Sequence, residues 1–438
     1  MNKIIKYILP LFVTCWAGSA MAQVPTPAPK QDTPILVKGA TVHTGAGTVI
    51  ENGAVAFEDG KITYVGSADG FTMTGSFKEV DAAGQHVYPG LILPTTDLGL
   101  VEIGQVSASK DEREEGSINP EVRALVAYNT DSHLPPTIRS NGILMAQIAP
   151  QGGLFSGTSS IVQLDAWNWE DAAYSVDEGI HLNWPSRYLS PRWWMGETDV
   201  RVNKKYNELT EEVEKTLRDA AAYAQASSPE EVNIKLEALR GLFDGSKTLY
   251  MHADIAKSIL QGLQLAEELN VKRVVLVGGA QAWYLKDYLK ENNIPVILSN
   301  IHRLPSVNDE DVDLPYRLAA MLQQEGVLVG LGYREEAMKT RNLPFFAGTA
   351  AAYGMDKEEA LKMITSNTAK ILGVADKTGS LEVGKDATLI ISQGDLLDMR
   401  TSNVTQAFIQ GRDIDLNNKH KMLYQKFKGK YESTEKVN

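Results

Sequence analysis

The sequence predicts an α/β fold built on a parallel sheet, from three observations. Short apolar strands alternate with amphipathic helical stretches through the middle of the chain. Strand-like alternation without helices occurs at both ends, and 438 residues exceed one small domain and suit a barrel-sized core with an accessory domain. In the middle, strands over 248–251, 274–277, 296–298 and 327–331 are separated by helical patterns over 255–269, 281–291 and 316–324. An earlier helix is predicted to start at Ser228-Pro229-Glu230-Glu231, which offers an N-cap, a first-turn proline and a capping acid ahead of Leu236, Leu239 and Leu242. Such a sheet closes as a (β/α) barrel or stays open and doubly wound, and periodicity does not choose between them.

At the ends, Ile35-Leu36-Val37, Ala54-Val55-Ala56-Phe57 and Ile62-Thr63-Tyr64-Val65 read as strands, with Asp59-Gly60 as a hairpin turn. Strands return over 387–391 and 404–409, so the two ends must meet to complete one sheet domain. Ahead of them, Pro25, Pro27, Pro29 and Pro34 make residues 23–34 an extended linker. Residues 1–22 have the order of a secretory signal peptide: Lys3 and Lys6, an apolar stretch over 7–16, then Ala20-Met21-Ala22. The mature protein is therefore expected to be exported, periplasmic or secreted. The apolar stretch is far shorter than the roughly 20 residues of a membrane span, and no later segment supplies one. Cys15, the only cysteine, falls in this leader, so disulfides and thiolate chemistry are not expected of the mature chain. The net charge of -12 becomes -14 without Lys3 and Lys6, and an acidic chain with no basic stripe argues against a nucleic-acid partner.

Tyr88-Pro89-Gly90-Leu91-Ile92 is followed by Leu93-Pro94-Thr95-Thr96-Asp97. Near the other end, Ala360-Leu361 leads to Thr365-Ser366-Asn367-Thr368-Ala369 and Leu372-Gly373, then Gly379-Ser380-Leu381 and Gly384-Lys385-Asp386-Ala387. The first segment resembles the amidohydrolase superfamily's P-G-[LFM]-I-D-x-H-x-H, and the last two resemble its closing pattern, with Thr388 at a position where the family has aspartate. The resemblance covers most of the mature chain and is nearest to imidazolonepropionase-like and prolidase-like members. It implies a (β/α)8 TIM-like barrel over 91–377, a small β-sandwich from 35–90 plus 378–418, and a tail over 419–438. It also implies hydrolysis of carbon-nitrogen bonds other than ordinary peptide bonds, with one or two divalent metals (Zn, Mn or Fe) at the C-terminal face of the barrel. The implied ligands are the paired histidines, often a carboxylated lysine, two further histidines and an aspartate on the last strand.

Carried over by position, Thr95 and Asp97 stand for the paired histidines and Leu93 for the aspartate before them. His252, in Tyr250-Met251-His252-Ala253, keeps a ligand position. Gly278 stands for the next histidine and Arg334 for the last-strand aspartate, with Glu335 or Glu336 as its counterpart if the register shifts. A catalytic zinc takes about three protein ligands plus water, and His302, following a strand, would complete a reduced site of Asp97, His252 and His302. The plainer alternative makes His252 a relic in the barrel mouth and His302 a polar loop residue. Two functions follow: a carbon-nitrogen hydrolase with a reduced or absent metal site, or an inactive relative that binds a small-molecule ligand, forms a homo-oligomer or associates with an active paralogue. Elsewhere, the glycine-rich segment 151–160 reads as a structural loop and the charged run 110–115 as a solvated one. The rings of Trp167, Trp169, Tyr174, Trp184, Tyr188, Trp193 and Trp194 read equally as a cleft lining or as core.

Overall fold

A computed structural model describes residues 25–72, 75–226, 231–305, 310–334 and 336–435. The leader with Cys15 and the Ser228-Pro229-Glu230 cap lie outside them. The described helix nearest that cap, Ile234–Leu239, is capped by Asn233, whose side chain accepts from the amides of Lys235 and Leu236.

The two chain ends join in one eight-stranded sheet. From the N-terminal part come β1 (Ile35–His43), β2 (Val49–Glu58), β3 (Lys61–Ser67), β4 (Lys78–Asp81) and β5 (His86–Pro89). Asp59 and Gly60 turn β2 into β3 with left-handed backbones, as the hairpin sequence requires. The C-terminal strands (Leu389–Ser392, Val404–Ile409 and Arg412–Asp413) enter beside β5, the first of them antiparallel to it. All eight strands are hydrogen-bonded into one sheet, which folds back so that Phe57 of β2 packs against Phe408 of the strand Val404–Ile409 at 5.1 Å.

The second eight-stranded sheet carries the site. It runs β6 (Leu91–Thr96), β7 (Ile143–Ile148), β8 (Phe155–Gln163) and β9 (Ala173–Asn183), then, beyond the small hairpin of β10 (Tyr188–Leu189) and β11 (Arg201–Val202), β12 (Thr248–Ala253), β13 (Val274–Gly278), β14 (Val296–Ser299) and β15 (Val329–Gly332). The sheet is nearly closed. Instead of pairing, β6 and β15 reach a shared segment: Ile92 donates to the Ile364 carbonyl at 3.0 Å and Leu331 to the Met363 carbonyl at 3.1 Å.

One strand departs from an all-parallel (β/α)8 barrel. β8 is antiparallel to both β7 and β9. The cause is chain length: only residues 149–154 separate β7 from β8, and a parallel crossover takes a dozen or more. Because β8 runs backwards, its first residues lie at the face where the other strands end. Between β9 and β15 the expected alternation holds, with helices such as Ala256–Glu268 and Leu314–Gln324 burying Ile259, Leu263, Leu318 and Leu322 against the sheet. No described helix is long and apolar enough to cross a membrane.

Candidate functional site at the barrel mouth

The C-terminal ends of the parallel strands converge on a cleft of about 670 Å³ lined by, among others, Asn183, His252, Asp254, Gly278, Ser299 and Arg334. Arg334 lies two residues beyond β15. Its Nη1 donates to His252 Nδ1 at 2.9 Å and its Nη2 to Asn183 Oδ1 at 2.7 Å. A guanidinium has only donors, so Nδ1 must offer its lone pair, and the neutral ring carries its proton on Nε2. That proton goes to His181 Nδ1 at 2.8 Å. His181 in turn holds its proton on Nε2, which is buried without a partner. Burial, then the Arg334 charge, drives the His181 pKa down to about 3, and the same two causes lower that of His252. Both rings are neutral across the physiological range.

Asn183 is fixed in turn. Its Nδ2 donates to the carbonyls of Gly152 and Gly153 and to Ser156 Oγ at 2.8–3.2 Å. Of the segment expected to be a loop, only 151–154 is one and 155–160 belong to β8; together they position the side chain that positions Arg334.

Asp97 sits just past β6. Burial raises its carboxyl to about 6, opposed by its own backbone amide and by the Arg334 charge, while Glu112 pushes the same way as burial. Thr95 is held at φ +50°, uncommon for a β-branched residue, with its amide donating to Gln147 Oε1 and its buried hydroxyl unpartnered. Gly278 has φ +98°, and a Cβ there would stand 2.7 Å from Asp254 Oδ1, so a histidine cannot simply be restored.

His302 is not brought to this cleft. Its Nε2 pairs with Thr349 Oγ1 at 2.7 Å, its ring packs edge-on against Phe346 at 4.8 Å, and it lines a separate groove with Phe345 and Lys357. Three residues past the end of β14, the chain has already turned toward the helix Leu343–Ala352. The trio Asp97, His252 and His302 therefore does not assemble. Glu335 lies outside the described residues, and Glu336 is exposed and paired with Lys339.

Below the mouth lies a second assembly. Glu178 accepts from Gln147 Nε2 (2.7 Å), Ser159 Oγ (2.6 Å) and Tyr250 OH (2.8 Å), and burial raises its carboxyl. The Tyr250 ring stacks on His181 at 4.9 Å and passes over Gly179, where any Cβ would collide with it. Two further sequence expectations change. Glu112 in the charged run is buried, with its carbonyl accepting from the Gln151 amide. The aromatic residues scatter: Trp184 is buried and lines the cleft, while Trp167 is exposed in another groove.

His181 and Asn183 escaped the sequence reading. The available signal was their spacing of two at the end of a strand, which puts both on one face.

An amidohydrolase family profile matches residues 209–414. An imidazolonepropionase of Symbiobacterium thermophilum is 26% identical over 372 residues, covering 78% of this chain and 84% of the relative. The solved structure of an amidohydrolase from Thermotoga maritima is 25% identical and superposes with a TM-score of 0.77 over 87% of this chain and 99% of that one. An adenosine deaminase from Xanthomonas campestris, solved with bound zinc, shares the fold at a TM-score of 0.53 and 16% identity, over 89% of this chain and 93% of that one.

The superfamily typically binds a divalent metal, so the donor set matters. Among the described residues no group of three or more His, Cys, Asp or Glu side chains is placed to hold one. His252 has no spare lone pair while Arg334 occupies Nδ1. The residues as arranged do not fit a resident ion. The matched profile, the imidazolonepropionases and the Thermotoga structure support placing the chain in the amidohydrolase superfamily.

Proposed function

We propose that the protein hydrolyses carbon-nitrogen bonds other than ordinary peptide bonds in a small substrate seated at the barrel mouth. The observation that carries this reading is the cleft itself. It lies at the strand ends of a superfamily barrel and gathers an imidazole, an amide, a carboxylate and a guanidinium from β9, β12 and the turns after β12 and β15. The chemistry needs a proton taken from water and one delivered to the leaving nitrogen. Asp254, the carboxylate that lines the cleft and acts most strongly on Arg334, is placed to exchange it. The ring amides implied by the imidazolonepropionase likeness are the first substrates to try. The N-terminal pattern of Lys3, Lys6 and Ala20-Met21-Ala22 supports action outside the cytoplasm.

The test is a turnover screen of the purified mature chain on hydantoins, dihydropyrimidines, imidazolones and N-acyl amino acids, with and without added zinc, manganese or iron. Hydrolysis that Asp254→Asn reduces by about a hundredfold or more is expected. A folded protein that turns over none of these classes under any condition overturns the reading and leaves a binding role.

A further inference from the structure

The most unusual group in the molecule is the Arg334 guanidinium. It is partly buried, and both its hydrogen bonds go to neutral acceptors, an imidazole nitrogen and an amide oxygen. The carboxylates that act on it electrostatically are Asp254 first and Asp97 second, yet among the described residues none comes within the 4.0 Å of an ion pair. A cation taken from water without a counter-ion is costly, and proteins keep such a group where a ligand supplies the missing charge. The other arginine lining the cleft, Arg303, is paired with Glu310 at 2.6 Å.

We propose that the barrel mouth is an anion site centred on Arg334, which receives the carboxylate of a small ligand in place of a divalent cation. This rests on reading the cleft as the ligand site and adds the ligand's charge to that reading. Of the five guanidinium donors, two are spent on His252 and Asn183, and the remaining three suffice for the two-bond fork that arginine makes with a planar carboxylate. Its supports keep the fork aimed: Asn183 is tied to the Gly152-Gly153 loop, and His252 is backed by His181. Gly278 contributes by lacking a side chain, since its cleft-lining backbone leaves room that a histidine would fill. The same arrangement rejects a metal. To bind one, His252 would have to release Arg334, which would then repel the incoming ion.

The experiment is calorimetric titration of the full mature chain with N-acetylglycine, its methyl ester and zinc chloride. The acid is expected to bind saturably and the ester at least about tenfold more weakly, with Arg334→Met abolishing the preference. Arg334→Lys should retain part of it, because the charge stays while the fork is lost. Should Arg334→Met fail to fold, Asn183→Ala, which frees the guanidinium but keeps its charge, is expected to weaken acid binding several-fold. A nitrogen NMR spectrum should show the His252 and His181 rings both protonated on Nε2, with the His252 Nδ1 resonance, which reports the bond from Arg334, shifting in Arg334→Met. Equal binding of acid and ester, or stoichiometric zinc binding that His252→Ala abolishes, overturns the proposal. Acid binding without turnover of any substrate class leaves the anion site standing and removes the hydrolase reading. Turnover that requires bound zinc does the reverse.

Discussion

Two polar assemblies meet inside this barrel and end in opposite ways. Around Glu178, each carboxylate oxygen receives a hydrogen bond from Gln147, Ser159 or Tyr250, and Gln147 reaches on to the Thr95 amide. Around Arg334, the chain of bonds runs through His252 to His181 and stops, with an unpartnered proton at one end and unspent donors at the other. The first is closed on itself, and closed buried networks rigidify a core. The second keeps binding capacity, which a structural network would have used up. Both are carried on the paired strands β9 and β12, but among the described residues no side-chain hydrogen bond links them and His181 stacks on Tyr250, so their side chains can be perturbed separately.

The largest effect is expected in the closed assembly. Glu178→Ala removes the acceptor of three buried donors and should cost about 3–5 kcal/mol of unfolding free energy in urea titration. Glu178→Gln, which keeps the shape and one acceptor, should cost about 1 kcal/mol. If the alanine variant were as stable as the glutamine variant, the closed network would not be what holds the barrel floor, and the contrast between the assemblies would fail.

The next effect is a pH dependence of the open assembly. His181 has a folded pKa of about 3 against an ordinary 6.5. The unfolded chain takes a proton below 6.5 that the folded chain refuses, so stability falls as pH drops from 6.5 toward 3. By pH 4 the loss from this ring amounts to about 3 kcal/mol. His181→Gln keeps an acceptor for His252 Nε2 and should flatten the acid limb of a stability-against-pH curve by close to one proton. An unchanged slope would place a solvated or ion-paired imidazole where the structure has a buried neutral one.

The contrast also explains which parts were legible in the sequence. Strands β12 to β15 fall within two residues of their expected positions, because buried parallel strands between amphipathic helices announce themselves by pattern alone. The reversal of β8 did not, since a buried strand reads the same in either direction. Only the short gap over 149–154 encodes it. At the site, His252 was legible from a motif and Arg334 from the position it fills. What motif matching could not show was that the two bind each other, because that contact spans 82 residues and depends on Asn183, which belongs to no motif. His302 misled because following a strand in sequence is not the same as facing its open end.

The smallest expected effect is the most diagnostic for the open assembly. Asp97 titrates near 3.8 when exposed and about 6 here, with burial the main cause. The folded chain thus holds a proton that the unfolded chain has lost. This favours folding at low pH, and the advantage disappears as pH rises from 3.8 through 6. Above that range the ionised carboxylate is a net cost, with the Arg334 attraction already counted. Asp97→Asn should therefore be more stable than the parent at pH 7.5 by about 1–2 kcal/mol, and no more stable near pH 3.8. Urea unfolding at the two pH values checks this. A loss of stability at pH 7.5 would mean that the native carboxylate has a cation seated against it in solution. Arg334 moving into contact would supply its missing counter-ion and remove the ground for the anion site, whereas a loss that a chelator reproduces in the parent protein would turn the open assembly into a metal site.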